Sequence, residues 1–186
     1  QHSKFFEGKL WKGEEVYYEV VGFTYTGTPI MSTADNKKLN DKEFVKQYGK
    51  TTAFSYGCDP HGWNNTTPAH SILPEISAPQ SDIYVYRMTM TNEDGDIVEY
   101  TPHFMRYRCE QMGVNTVPVF ATMKLSEDGG WVFYKNGSFS AVYDTDIGEF
   151  VKYVAEEFYD GPDPIGKTHV REGVVVRILN RPKFCA

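Results

Sequence analysis

Cysteine is scarce in this chain: Cys58, Cys109 and Cys185 are odd in number and lie far apart. That pattern excludes a disulfide framework and suits a reducing compartment. Basic charge is also in deficit, with 19 Lys and Arg against 25 Asp and Glu and a net charge of -6. A uniformly cationic surface for wrapping nucleic acid is thereby excluded, so a polynucleotide partner must be met by local clusters, by metal ions or by chain outside this sequence. Long hydrophobic runs are missing: nothing approaches the roughly 20 apolar residues of a membrane-spanning helix, and no leader pattern opens the chain. There is no internal repeat, heptad seam or low-complexity tail. The expectation is a soluble, intracellular, cytoplasmic protein with no membrane partner.

Aromatic residues are plentiful. Thirteen Tyr and 12 Phe sit in 186 residues that are 40% hydrophobic, enough to fill the core of one domain and too apolar for a disordered chain. Tyr exceeding Phe suggests half-wet or ligand-facing strands beside that core.

Along the chain, "VYYEVVGF" (16–23) has a strand signature with one polar intruder, Glu19. A Gly- and Pro-punctuated turn follows, and "LNDKEFVKQYG" then offers a helix with Asn40 as cap, Glu43 three residues on and Gly49 at the stop. Residues 51–80 read as a long loop carrying Pro60, Pro68, Pro74 and Pro79. "SDIYVYRMTMTNEDGDIVEY" reads as a hairpin: a strand over 83–91, a turn over 92–95 and a returning strand over 96–100. Strict alternation puts Tyr84, Tyr86 and Met88 on one face. Thr101 and Pro102 open a helix that Gly113 closes. "VPVFATMKL" (117–125) is a further strand. Asp146 caps a helix in which Ile147, Phe150, Val151, Val154 and Phe158 recur at helical spacing. Near the end, Val174, Val175 and Val176 favour a strand covered on both faces, bracketed by Glu172 and Arg177. This irregular interspersion predicts an α+β domain with largely antiparallel sheets flanked by helices.

Three features call for a common explanation: Glu19 inside a strand, the Tyr84/Tyr86 face, and Glu172 with Arg177. A carboxylate on a buried strand costs on the order of several kcal/mol in desolvation unless it meets a cation or a metal. Two of them on separate strands can share a divalent ion or grip a ribose hydroxyl, and a strand tyrosine can stack on a purine. Together these parts describe a nucleotide pocket. The plainer readings are an ion pair for Glu19, cross-strand packing for Tyr84 and Tyr86, and pairing of Arg177 with Glu172 or another acid. Cys58 and His61 form a C-x-x-H pair, but with His70, His103 and Cys109 elsewhere the four-ligand spacing of zinc is lacking. Asp94 and Asp96 read as turn chemistry, and "EEFYDGPDP" as a solvated helix end.

These residues carry a resemblance. The sequence from about Phe5 to Phe184 resembles the nucleotidyltransferase domain of ATP-dependent RNA ligases of the bacteriophage-like type, in the superfamily that includes DNA ligases and mRNA capping enzymes. "VYYEVVGF" is similar to the family's strand ending in Glu, two hydrophobic residues and Gly, which carries its acidic residue to Glu19. "DIYVYRM" resembles the strand whose aromatic stacks on the nucleobase, a role that falls to Tyr86, with Tyr84 as the same-face alternative. "REGVVVR" is similar to the Glu-Gly-x-Val-x-Lys/Arg motif, which gives Glu172 the metal-organising role and sets Arg177 among the nucleotide contacts. "GTPIM" and "FSYGCDPHG" are softer likenesses.

The resemblance implies a lysine that attacks the α-phosphorus of ATP and holds AMP, which passes to an RNA 5'-phosphate before a 3'-hydroxyl displaces it, with Mg²⁺ as cofactor. RNA ends would be the substrate, and RNA repair a natural setting. Yet no Lys-x-Asp/Asn-Gly nucleophile motif occurs: "KNGS" at Lys135 lacks the intervening residue, and of the family's late lysine pair only Lys183 is near. The expectation is a partial domain, 1–186, beginning after the nucleophile and ending before the last lysines, inactive alone and with open sheet edges on which a second copy can pair. The alternatives are a capping guanylyltransferase or DNA ligase relative and, in another class, a non-catalytic nucleotide-binding or interaction module.

Overall fold

A computed structural model describes residues 2–63, 78–125, 127, 130–135, 138–143 and 147–177. The chain is mixed α and β, with three α-helices and antiparallel sheets among these residues. Pro68, Pro74, His70, Asp146, Lys183 and Cys185 lie outside the described residues.

The central sheet pairs β1 (Glu14–Gly22) antiparallel with β4 (Ser81–Thr91). Along its other edge β4 meets β5 (Ile97–Glu99) antiparallel and β6 (Asn115–Thr116) parallel. Strand β4 opens two residues before the expected start at Ile83, and its Ile83, Val85 and Met88 are fully buried. Val16, Tyr18 and Val20 of β1 pack on the same cluster, with Met105, Cys109 and Met112 from α2 (Pro102–Met112). Burying side chains of this size stabilises by roughly 1.5–3 kcal/mol each. Helix α2 starts and stops as its sequence dictates: Thr101 Oγ1 accepts from the Phe104 amide, Pro102 needs no N–H partner, and Gly113 takes the left-handed conformation at φ 70°.

One expectation fails within β4. The β1 register slips between Tyr17 and Tyr18, which pair with Arg87 and Val85 and leave Tyr86 as the extra residue of a bulge. Alternation therefore does not run through, and Met88 lies on the core face rather than with Tyr84 and Tyr86.

Two smaller units complete the fold. Strands β2 (Thr33–Asp35) and β3 (Thr51–Ala53) pair antiparallel and flank α1 (Lys42–Tyr48), whose cap is Asp41, one residue after the expected Asn40. Asp41 wins because its carboxylate accepts from both the Glu43 and Phe44 amides. Strands β7 (Ala121–Leu125), β8 (Trp131–Lys135) and β9 (Ser138–Tyr143) form a meander, so residues 117–120 of the expected strand stay outside it. Helix α3 (Ile147–Phe158) covers Phe133 with Phe150, Val154 and Phe158, while Val151 is 36% exposed.

The Val174–Val176 stretch departs furthest from expectation. Residues 171–176 belong to no ladder; Val174 and Val176 pack on the Phe133 cluster, but Val175 is 65% exposed. Three consecutive β-branched residues signalled a strand, yet only two of them find apolar cover.

Behind the central sheet the Glu14 side chain is sealed from solvent. Its carboxylate accepts a bidentate pair from Arg108 Nε and Nη2 at 2.8 and 2.7 Å, the Trp11 amide at 2.8 Å and the Tyr100 hydroxyl at 2.9 Å. Burial pushes the carboxyl pKa up, but these hydrogen bonds and the Arg108 charge outweigh it, and the result lies below the ordinary 4.5. A depressed folded-state value means that the stabilisation is complete at neutral pH and is lost as pH falls through the acid range. Arg108→Met strands the carboxylate and should cost about 3–5 kcal/mol in urea unfolding at pH 7, with Glu14→Leu/Arg108→Met recovering most of it. Equal stability of the single variant and the parent chain would disprove this account of the pair.

Candidate functional site

The second face of the central sheet carries the residues that the sequence singles out. Glu19 pairs directly with Tyr84 across β1 and β4, and Tyr17 pairs with Arg87. Val21, on the Glu19 face, packs with Phe23, Cys58, Tyr56 and Tyr84. Glu19 is exposed and faces a tyrosine, so the expected buried carboxylate is not found: it carries no burial cost that demands a cation or a metal, and it forms no ion pair among the described residues. Tyr86, displaced by the bulge, lies 6.5 Å from the Tyr17 ring.

Glu172 reaches this face from the chain after α3. Residues 163–170 form a tightly bound turn: the buried Asp163 carboxylate accepts from the Ile165 amide at 3.1 Å and from the Gly166 amide, and the Asp163 amide donates to the His169 carbonyl at 2.7 Å. Asn36, fully buried, accepts from the Val170 amide at 2.9 Å and donates to the Gly49 carbonyl and Thr52 Oγ1. Thr52 in turn donates to the Thr168 carbonyl at 2.9 Å. These bonds tie the approach to Glu172 to the β2/β3 unit. "EEFYDGPDP" is largely the solvated helix end expected, with Glu156, Glu157, Tyr159, Asp160, Pro162 and Pro164 exposed, but Phe158, Gly161 and Asp163 are buried.

Tyr56 stands beside Glu172. Its hydroxyl is 3.5 Å from Glu172 Oε2, a long contact. Its ring lies edge-on to His169 at 4.9 Å and stacks with Phe54 at 6.1 Å. Burial raises the Tyr56 pKa well above the ordinary 10, and the charges of Glu172, Asp163 and Glu19 raise it further. Burial with Asp82, Cys58 and Asp163 pushes Tyr84 up to about 12. Both tyrosines therefore remain phenols at neutral pH, and the Tyr56 O–H is held as a donor toward carboxylate. Tyr56 itself has φ 46° and Lys167, across the turn, φ 59°. Non-glycine residues in that region cost of order 1–3 kcal/mol and persist where the surroundings over-determine them. Here Gly57 and Gly166 meet so closely that a Cβ on Gly166 would stand 2.7 Å from the Gly57 nitrogen.

His169 is fully buried. Its Nδ1 lies 3.0 Å from the Val170 carbonyl, which can only accept, so Nδ1 carries the proton. Nε2 is 3.9 Å from Asp163 Oδ2 and has no hydrogen bond among the described residues.

Arg177 does not pair with Glu172: its Nη1 is 3.7 Å from Glu99 Oε1, and Arg87 Nε is 3.1 Å from Glu99 Oε2. Cys58 is buried against Gly22, with its thiol pushed up to about 12 mainly by burial. No group of three or more His, Cys, Asp or Glu gathers around a common point among the described residues. Asp96 and Asn92 exchange turn hydrogen bonds, as expected of hairpin chemistry. Sequence reasoning missed Tyr56, Asp163, His169 and Arg87; "FSYG" and the Asp-Pro-x-Gly turn were the available signals.

No protein-family model, curated protein or solved structure matches this chain.

The convergence of charge on Tyr56 is open to measurement. In a chain labelled at tyrosine Cζ, Glu172→Gln should bring the Tyr56 titration down toward 10 while leaving the Tyr84 curve in place. An unmoved Tyr56 curve would show that Glu172 does not act on it.

Proposed function

We propose that this chain is part of an RNA ligase-type adenylyltransferase, contributing the contacts to ATP rather than the nucleophile. The observation that carries the reading is the convergence of Glu19, Tyr84 and Glu172, from three separate stretches of sequence, around Tyr56 on one sheet face. Tyr86, with Tyr84 as its neighbour on that face, offers an aromatic surface to the base, and Glu19 beside Tyr84 offers acceptors for ribose hydroxyls. Arg177 contributes a guanidinium for the phosphates.

Mg²⁺ fits this donor set. It is bound in nucleotide sites through one or two carboxylates, with waters and phosphates completing the octahedron, and exposed Glu172, held near the Tyr56 hydroxyl, is such a ligand, with Glu19 as second candidate. When bound, the ion would neutralise charge on the transferring phosphate. The chain's own residues do the rest: tyrosines orient the base, and the buried turn that ends at Glu172 fixes the carboxylate. No Lys-x-Asp/Asn-Gly occurs in these 186 residues, so the reading assigns AMP attachment to a lysine supplied by the parent protein. The same fact favours, as a second reading, a nucleotide-binding module without chemistry.

Intact-mass analysis after incubation with Mg²⁺ and either ATP or GTP separates these. The expected result is one AMP added to a parent that carries the lysine motif, none added to this chain, and loss of the adduct in Glu172→Ala. In equilibrium binding, Tyr86→Ala should weaken ATP by about 1–3 kcal/mol, the value of one base-aromatic stack. A GMP adduct would move the assignment to capping chemistry. No adduct from either nucleotide would leave the binding module.

A further inference from the structure

The Arg87–Glu99–Arg177 cluster is not explained by packing. Glu99 of β5 has a side chain only 4% exposed, yet two guanidiniums converge on it and remain 32% and 25% exposed. Among the described residues neither arginine comes within ion-pair distance of a second carboxylate. One buried charge thus faces two opposite ones, and the cluster carries a net positive charge.

The geometry of the contacts sharpens this. Glu99 Oε2 lies 3.1 Å from Arg87 Nε and its Oε1 3.7 Å from Arg177 Nη1, the second too long for a hydrogen bond, so the Arg177 charge is only loosely held by this acid. Each arginine has five N–H donors in a fixed plane. Arg87 is held further by the Tyr17 ring, whose centroid is 4.7 Å from the guanidinium carbon. An ordinary surface ion pair leaves all partners wet and contributes about 0–1 kcal/mol. Here the acid side chain is buried while both bases keep part of their surface in solvent, so a single sealed counter-ion is shared by two partly exposed cations.

The bulge supplies the second observation. By leaving Tyr86 unpaired next to Arg87, it sets an aromatic ring and a guanidinium side by side, with both near Tyr17. Bulges recur beside binding sites because they re-aim side chains in this way. From Tyr17/Arg87 to Glu19/Tyr84 is one pleat repeat, roughly 7 Å along the strand, so the cationic cluster adjoins the carboxylate end.

The geometry points to Arg87 and Arg177, aimed by their shared counter-ion Glu99, as a binding site for a phosphate group. The chemistry recognised is a phosphate dianion or polyphosphate met by two guanidinium forks. Its carrier is either a nucleoside triphosphate or the 5'-phosphate of an RNA end; naming these carriers rests on the adenylyltransferase reading, whereas the anion site does not.

The test uses the full 186-residue chain and inorganic tripolyphosphate in titration calorimetry at low salt. The parent chain should bind, and Arg87→Ala and Arg177→Ala should each weaken binding at least tenfold. Arg87→Lys should also weaken it, since a point charge does not replace the fork, and it carries the test should Arg87→Ala fail to fold by circular dichroism. Glu99→Gln, which removes the competing carboxylate, should bind several-fold tighter, a gain that a merely structural acid would not produce. No binding by the parent chain, or arginine variants within twofold of it, would overturn the site. Displacement of tripolyphosphate by ATP identifies the nucleotide as carrier, and displacement by a 5'-phosphorylated oligoribonucleotide but not by ATP identifies the RNA end. Displacement by neither would overturn both named carriers. Tripolyphosphate binding that needs both arginines, in a chain that binds no ATP, would retire the nucleotide assignment of this chain and leave the anion site standing.

Discussion

Everything on the candidate face depends on how β1 and β4 pair, and above all on the one-residue slip in their register. In an antiparallel ladder a shift of one residue sends each side chain to the opposite face. The core fixes the frame on both sides of the slip: Val16 with Met88 before it, and Tyr18 with Val85 and Val20 with Ile83 after it, all turned toward α2. Because both halves are pinned by buried side chains, the extra residue must be absorbed between them. Tyr86 is that residue, and Arg87 beside it keeps its place opposite Tyr17. The bulge is therefore a consequence of two apolar registers that cannot both be satisfied without it.

A second constraint brings Glu172 to the same face. The turn through residues 163–170 sets one apolar side chain, Val170, in a small core with Ala34 and Phe54, and is otherwise held by polar bonds to Asn36, Thr52 and its own backbone. Such networks are valuable only when complete, since each stranded buried group costs roughly 1–3 kcal/mol. Asn36 satisfies its amide oxygen and nitrogen with three partners from three stretches of chain. The aromatic wedge of Phe54, Tyr56 and His169 fills the space between that turn and the central sheet. Tyr56, in the left-handed conformation, is half-buried between His169 and Phe54 and the Val21 cluster of the central sheet.

How much of this was legible in the sequence follows from which forces are local. Helix α2 was legible to the residue because Thr101, Pro102 and Gly113 act through bonds within one turn of the chain. The hairpin was legible because alternation and turn chemistry are also short-range, whereas the pairing of Glu19 with Tyr84 joins strands far apart in sequence and no local pattern encodes it. The slip at Tyr86 was not legible either, since it arises from competition between distant core contacts, and so Met88 was assigned to the wrong face. Nor was the fate of Val174–Val176: β-branching records a preference for a pleated, covered environment, but no neighbouring strand among the described residues supplies a ladder. Tyr56, Asp163 and His169 lie in turns whose sequences resemble ordinary loops, and their importance comes from long-range contacts that no local pattern encodes.

The face that results is electrically divided. Glu19, Glu172 and the nearby Asp163 gather at one end and raise the Tyr56 hydroxyl pKa, while Arg87 and Arg177 outnumber Glu99 at the other. Adjacent opposite charges on a flexible surface would collapse into direct pairs, yet Glu172 and Arg177, five residues apart on one segment, each take a different partner. Glu172 is near Tyr56, which can donate without neutralising it, and Arg177 is held by an acid already shared with Arg87. Each charged end thus has a partner of its own, Tyr56 in a turn for Glu172 and Glu99 on β5 for Arg177. A chain whose overall balance is acidic thereby keeps a small cationic patch beside its aromatic surface, the local charge that the proposed phosphate site requires, without spreading positive charge over the whole molecule.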